Sequence, residues 1–395
     1  MNTKLRNKKI IFLLICIMII GICIGITKNI NIIQIIDVIK EKFVGPPINE
    51  NNEINNSFFG IADDFTKPRE TLKGINEAIK YASKDNINYI KLKKGKYLID
   101  GTNNTNLSKG IEIEVSNITI DLNGSTIKYI ENNKPVYNVI KLLNVENVNI
   151  CNGVIIGDKD KHDYGTIQSS HGFGCGISIN ACKNIKIENM EIYNMTGDGI
   201  YIGDLFNKKN GTYDNSMDCS IVNNNINNCR RLGIAVTGGT NIKIEKNEIY
   251  NIDGVWPKAG ICIEANENEI IDKITIKDNK IYTTASNDSI IASKNTQNVL
   301  IIENELNGGI LGLDVKCKIK IINNKIKSGD LEFKISEELK KSGFYVKEVL
   351  IQKNNVQNGK VILKDIERGE VLENTFINCE FDLEEGKVIF NDNDM

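Results

Sequence analysis

The chain has 395 residues, and its 49 Lys and Arg stand against 51 Asp and Glu, a formal net charge of −2. No basic stripe accompanies that balance, so the electrostatic footprint of a nucleic-acid binder is missing. Only five prolines occur in a chain rich in Ile, Asn and Lys, a composition that suits strands joined by Asn turns.

The N-terminus differs from the rest. Lys4, Arg6, Lys8 and Lys9 precede an uncharged run from Ile10 to Thr27. Such a run is long enough for a membrane span, and no small-x-small cleavage site follows it. Cys16 and Cys23 follow Ile15 and Ile22, where a lipoprotein would carry a small residue. The expectation is an uncleaved membrane anchor over residues 10–27 with the body outside the cytoplasm, at the cell surface. Cleavage would make the protein secreted instead. PPINENNEINNS (46–57) reads as a solvated linker.

Residues 64–99 predict a helix and then two strands. Leu72, Ile75, Ala78, Ile79 and Ala82 fall on one helical face. A solenoid needs its open end covered, and this helix is suited to that role.

Downstream, one phrase repeats. NIKIENMEI (184–192) returns as NIKIEKNEI (241–249), KITIKDNKI (273–281) and KIKIINNKI (318–326). Each copy alternates apolar and polar residues, passes an Asn or Asp turn, and resumes with an apolar residue. Period-two alternation marks strands with one buried face, and stacking such units buries a continuous core. The pattern predicts a parallel β-helix. Between the copies a second phrase recurs: GISI (176–179), GIYI (199–202), GIAV (233–236) and GICI (260–263), spaced 23, 34 and 27 residues apart. Stacking puts Ile177, Ile200, Ile234 and Ile261 in one inward ladder. Alternation then turns Gly176, Gly199, Gly233 and Gly260 outward as a bare strip, unless these glycines only ease the bend into the strand.

K-x-G-x-Y-L-I (93–99) after the helix and strand, with NITIDLNGSTIK (117–128), resembles the opening of the pectate-lyase-like superfamily. The resemblance implies an all-β, right-handed parallel β-helix solenoid with an N-terminal capping helix, besides the separate transmembrane helix. The expected organisation is a cytoplasmic stub and anchor over 1–28 and a linker over 29–57. A cap over 58–100, a β-helix with the site over 101–330, and irregular C-terminal coils with a cap over 331–395 complete it. Of the eight cysteines beyond the anchor, none forms a CxxC pair. They read mostly as small core ladder residues, with one or two disulfides as the alternative.

The polar residues flanking the glycine strip carry the candidate chemistry. His171, Asp198, Arg230 and Arg231 precede the strands; Asn180, Asp204 and Glu264 follow them, and Tyr201 lies within one. Coils stack about 4.8 Å apart, so Asp198 and Arg231, at similar offsets on adjacent coils, should meet. Asp204 and Glu264, two coils apart at the same strand end, should lie roughly 10 Å apart. Asp198 and Glu264 sit at opposite strand ends and should not act on one bond. A non-repeating stretch, 157–174, holds His162, Tyr164 and His171, the first two as D-K-H-D-Y; 205–218 is an insertion suited to wall a groove.

A uronate lyase needs a base beside a cation that neutralises the carboxylate. His171, Asp198, Arg231 and Glu264 are the catalytic candidates; His162, Tyr164, Asn180, Tyr201, Asp204 and Arg230 are the substrate-binding ones. The resemblance also permits Arg231 as base and Ca²⁺ held by carboxylates. The expected partner is a polysaccharide, cleaved by β-elimination. Hydrolysis or C5-epimerisation on the same scaffold, or non-catalytic carbohydrate binding or adhesion, are the alternatives. No paired Asp-Asp of the polygalacturonase type occurs in the strip, and an interstrand salt-bridge network would account for the same charges.

Overall fold

The computed structural model describes residues 32–102, 108–166, 171–209, 211–266, 270–282, 288–315 and 318–395. Among them the chain winds as a parallel β-helix. An eleven-stranded sheet runs from Ser108–Ile113 to Glu380–Leu383, each strand pairing in parallel with its counterpart one coil on. The remaining coil walls form two further stacks. Lys183–Tyr193 feeds both, pairing with Ser220–Val222 in one and Asn225–Asn227 in the other.

The apolar alternation dictates this stacking. Ile177, Ile200, Ile234 and Ile261 are in register and wholly buried, as the second phrase predicts. Ile187, Ile221, Ile244 and Ile276 form the matching ladder on one opposite wall, and Ile192, Ile226, Ile249 and Ile281 on the other. Each ladder closes the core that its neighbours leave open.

The corner between the two stacks uses Asn twice. Asn189 and Asn223 take the left-handed conformation that Asn tolerates. The next residue from Asn224 onward is a buried Asn: Asn224, Asn247, Asn279, Asn304, Asn324, Asn354 and Asn374. Each Oδ1 from Asn247 onward accepts the backbone N–H and Nδ2–H of the preceding member at 2.8–3.0 Å. The amide dipoles thus run head to tail inside an apolar core, where an unpaired amide would be costly. The sequence reading placed Asn at turns and missed this interior column.

The helix Pro68–Lys84 buries Leu72, Ile75, Ala78, Ile79 and Ala82 against the first coils. A helix also spans Ile32–Val44. Residues 46–57 are not wholly a solvated linker: Ile54 is buried in the core and its N–H bonds Lys91 O at 2.9 Å. No described helix is long and apolar enough to cross a membrane; the expected span, 10–27, lies outside the described residues. Cys182, Cys219 and Cys229 pack in the core as small ladder residues, with free thiols. Cys317 lies outside the described residues. ISEELKKS contains a short helix, Glu337–Lys341, and the coils continue past it to Val388–Asn391.

Candidate functional site

The glycine strip does not face outward. A Cβ on Gly199 would lie 2.4 Å from Ile226 Cγ2 and 2.7 Å from Gly233 O; on Gly233, 2.4 Å from Ile249 Cγ2 and 2.6 Å from Gly260 O. Gly176 and Gly260 meet the same obstacles, a core Ile methyl and the next coil's backbone oxygen. Gly and the following Ile thus both face inward, and only hydrogen fits at the glycine. The outward strip is thereby overturned: glycine is required here because any side chain would meet the core and the next coil.

The outer face is built instead from the ladder Ser178, Tyr201, Ala235, Cys262 and Ile291. Ala235 and Cys262, small and buried, lie between Tyr201 and Ile291 in that ladder. The result is a cleft of about 370 Å³ that includes Val136, Phe173, Asp198, Tyr201, Arg231, Thr237, Glu264 and Lys294 in its lining. These residues lie on or beside six successive strands, so the cleft runs along the solenoid axis for about 24 Å.

Asp198 and Arg231 meet as their offsets predict. Leu232 is in register with Asp198, and Arg231 precedes it. Arg231 Nε and Nη2 donate to the two Asp198 oxygens at 2.8 and 2.5 Å. Asp198 is 1% exposed, the Arg231 side chain 19%. Burial pushes the Asp198 carboxyl up and Arg231 offsets part of that; the carboxylate holds the guanidinium firmly cationic. Arg231 is therefore unsuited to act as a base. Its guanidinium lies 5.1 Å from the Phe173 ring centroid.

Asp198 begins its strand and Glu264 ends its own, as expected, yet both line the one cleft. Each faces a cation: Glu264 pairs with Lys294 at 2.8 Å. Thr237 Oγ1 donates to Tyr201 Oη at 2.7 Å, fixing the phenol over the floor. Asn180 and Asp204 stand at the far strand ends, where Asn266 Nδ2 donates to Asp204 at 3.5 Å and burial raises the Asp204 pKa. The insertion beyond Asp204 forms a hairpin, Leu205–Asn207 with Thr212–Asp214.

Beside the cleft lies a second cluster, centred on a residue the sequence reading missed. Asp158 is buried and accepts from four donors: Tyr137 Oη at 2.7 Å, the Asn132 backbone N–H and Nδ2–H at 2.9 Å each, and His162 Nδ1 at 2.8 Å. His162 Nε2 lies 2.9 Å from His171 Nδ1. The carboxylate fixes the tautomers in turn. With its proton on Nδ1, His162 accepts at Nε2, so His171 donates from Nδ1 and keeps a lone pair on Nε2. Burial lowers the His171 pKa, and His162 and Arg230 lower it further. Arg230 bonds His171 O at 3.1 Å and stacks 4.3 Å from the Tyr164 ring centroid. Tyr164 Oη donates to Lys159 O at 2.9 Å, and burial pushes its pKa up to about 12. His162, His171, Tyr164 and Arg230 thus form one unit; Asp198, Arg231, Tyr201 and Glu264 form the other. One sequence signal pointed to Asp158: Gly157–Asp158 ends the apolar run GVII before the non-repeating stretch.

Among the described residues no three His, Cys, Asp or Glu side chains group as a metal ion requires. Ca²⁺ takes several oxygen ligands, whereas the cleft carboxylates are turned to Arg231 and Lys294. These residues do not fit a Ca²⁺ site.

The family described as "Right handed beta helix region" matches residues 175–330. An uncharacterized SPbeta prophage-derived protein of Bacillus subtilis, YorA, is 28% identical over 345 residues, 81% of this chain and 58% of YorA. The uncharacterized YclG of the same organism is 30% identical over 259 residues, 61% of this chain and 44% of YclG. The chain thus spans about half the length of these curated relatives. Among solved structures, the A-module of the mannuronan C-5 epimerase AlgE6 of Azotobacter vinelandii superposes with a TM-score of 0.55 at 12% identity, covering 86% of this chain and 98% of that one. A hyperthermoactive exopolygalacturonase of Thermotoga maritima gives 0.51 at 15%, covering 85% and 92%. The chain is a parallel β-helix whose residues 175–330 match the right-handed β-helix region, and these solved structures have the same fold. It shares that fold with polysaccharide-active proteins, and at these identities the likeness extends to fold alone.

Proposed function

We propose that the protein binds a uronate-containing polysaccharide in this cleft and cleaves it by β-elimination. His171 Nε2 takes the proton from C5, the carbon beside the carboxylate. The electron pair forms the C4–C5 double bond, the C4–O bond breaks, and the leaving oxygen takes a proton from the imidazolium or from water. Arg231 has N–H groups beyond those bound to Asp198, and these neutralise the uronate carboxylate as the enolate forms. Tyr201 and Glu264 contact the sugars along the floor.

The observation that carries the reading is the chain Asp158–His162–His171, which leaves a neutral imidazole with a lone pair, its backbone carbonyl held by Arg230, the residue next to Arg231 in the chain. A glycosidase needs two carboxyls turned to one glycosidic bond, and here Asp198 and Glu264 are engaged by Arg231 and Lys294. C5-epimerisation shares the first step and differs in returning the proton to the opposite face. A panel of polysaccharides assayed for unsaturated products and for reducing ends separates these readings. Unsaturated ends are expected; new reducing ends without unsaturation would refute the elimination. The body is further proposed to be held outside the cytoplasm by residues 10–27. Retention of the full chain in carbonate-washed membranes is expected, and release would contradict it.

A further inference from the structure

The chain's single tryptophan, Trp256, is 74% exposed, in the loop that leads into strand Ala259–Glu264. An isolated exposed aromatic is ordinary on a protein surface. This one is held against the site. Val255 N–H bonds Arg230 O at 2.8 Å, and Asp253 N–H bonds Cys229 O at 3.1 Å. A Cβ on Gly254 would fall 2.3 Å from Arg230 Cγ, so the loop lies directly on that arginine. Arg230 in turn bonds His171 O. The loop that carries Trp256 is thus held against Arg230, which also bonds the backbone of the proposed base.

The cleft lining itself holds an exposed aromatic. Phe173, 48% exposed, begins the strand three coils before that of Trp256, with the Asp198 and Arg231 coils between. Three coil steps are about 14 Å along the axis. A polymer longer than this cleft of about 370 Å³ must leave over its rim. The Trp256 loop leads into the strand one coil beyond Arg231, and the cleft lining continues past that coil to Lys294. Pyranose rings present a face of C–H groups, which suits the electron-rich face of an indole.

We propose that Trp256 is a distal sugar-stacking subsite, holding a pyranose ring of the same polysaccharide on the opposite side of Arg231 from Phe173. This rests on the polysaccharide reading above and makes the site one for an internal stretch of polymer rather than a chain end.

Trp256 is the chain's only indole, so its emission reports on the subsite directly. The full chain is titrated with oligogalacturonates and oligomannuronates of increasing length, and their turnover is measured in parallel. Saturable quenching with a blue shift is expected once the oligomer is long enough to pass Arg231. Trp256→Ala should raise KM for polymer about tenfold with kcat within about twofold, and Trp256→Tyr should restore most of the loss. Turnover with unchanged emission at saturating substrate, or unchanged polymer kinetics in Trp256→Ala, would overturn the subsite and leave the proposed function standing. Absence of both turnover and binding with every uronate polymer would overturn the reading beneath it and the subsite together.

Discussion

Asp198 and Arg231 join two adjacent coils through a two-toothed ion pair, 2.8 and 2.5 Å, with the carboxylate 1% exposed. Removing one partner of such a pair leaves a buried charge without compensation. Arg231→Ala should therefore lower stability by about 3–5 kcal/mol, and the double variant Asp198→Asn/Arg231→Gln by less than the sum of its single changes. Urea unfolding of the four proteins checks this. Strict additivity would mean that the pair is not coupled.

The His171 pKa is lowered from its ordinary value of 6.5. A base works only when unprotonated, so activity should be retained through pH 6.5 and fall as pH drops through the lowered pKa. Asp158→Asn replaces one accepting oxygen with an NH2 donor and loses the charge that sets the tautomers; it should cost about 10²–10⁴ in kcat and change the acid limb of the pH profile. The stability sign follows the same shift. Between the two pKa values the unfolded chain binds more protons, so the contribution of His171 is present above 6.5 and is lost as pH falls toward the folded pKa. A pH–rate profile whose acid limb lies above 6.5 would remove His171 from the role of base.

The interior Asn column makes a prediction of its own. Asn279→Ala removes the oxygen that accepts both the N–H and the Nδ2–H of Asn247. Two buried donors lose their partner, at about 1–3 kcal/mol each. Thermal unfolding should show a large loss, and a change within about 0.5 kcal/mol would mean that water replaces the amide.

Gly233→Ala puts a methyl against Ile249 and the Gly260 carbonyl. Overpacking of this kind should cost about 1–3 kcal/mol without blocking the outer cleft. Lost sugar binding in a variant of unchanged stability would restore the outward strip.

Much of the scaffold was legible in the sequence because a period of two fixes which Ile faces inward, and Ile177, Ile200, Ile234 and Ile261 stack as that period requires. The glycines misled because alternation counted back from Ile177 fails there: a Cβ on Gly176 would also meet the core, which side-chain pattern alone does not reveal. Paired Asn residues in the repeats, such as Asn223 and Asn224, gave no sign of which takes the left-handed turn and which enters the core. Asp198 with Arg231 was readable from equal strand offsets on neighbouring coils. Asp158 was not, because its donors come from Asn132 and Tyr137 on the preceding coil and from His162 in a stretch without repeat register.

The central claim is proton removal at C5 by His171. Its most direct test is turnover of a uronate polysaccharide in deuterated water by the full chain and by His171→Ala, with products read by NMR. The account predicts unsaturated ends from the native chain, falling about 10²–10⁴-fold in the variant while polymer binding is kept. Reducing ends alone, with no unsaturation and no deuterium at C5, would contradict it.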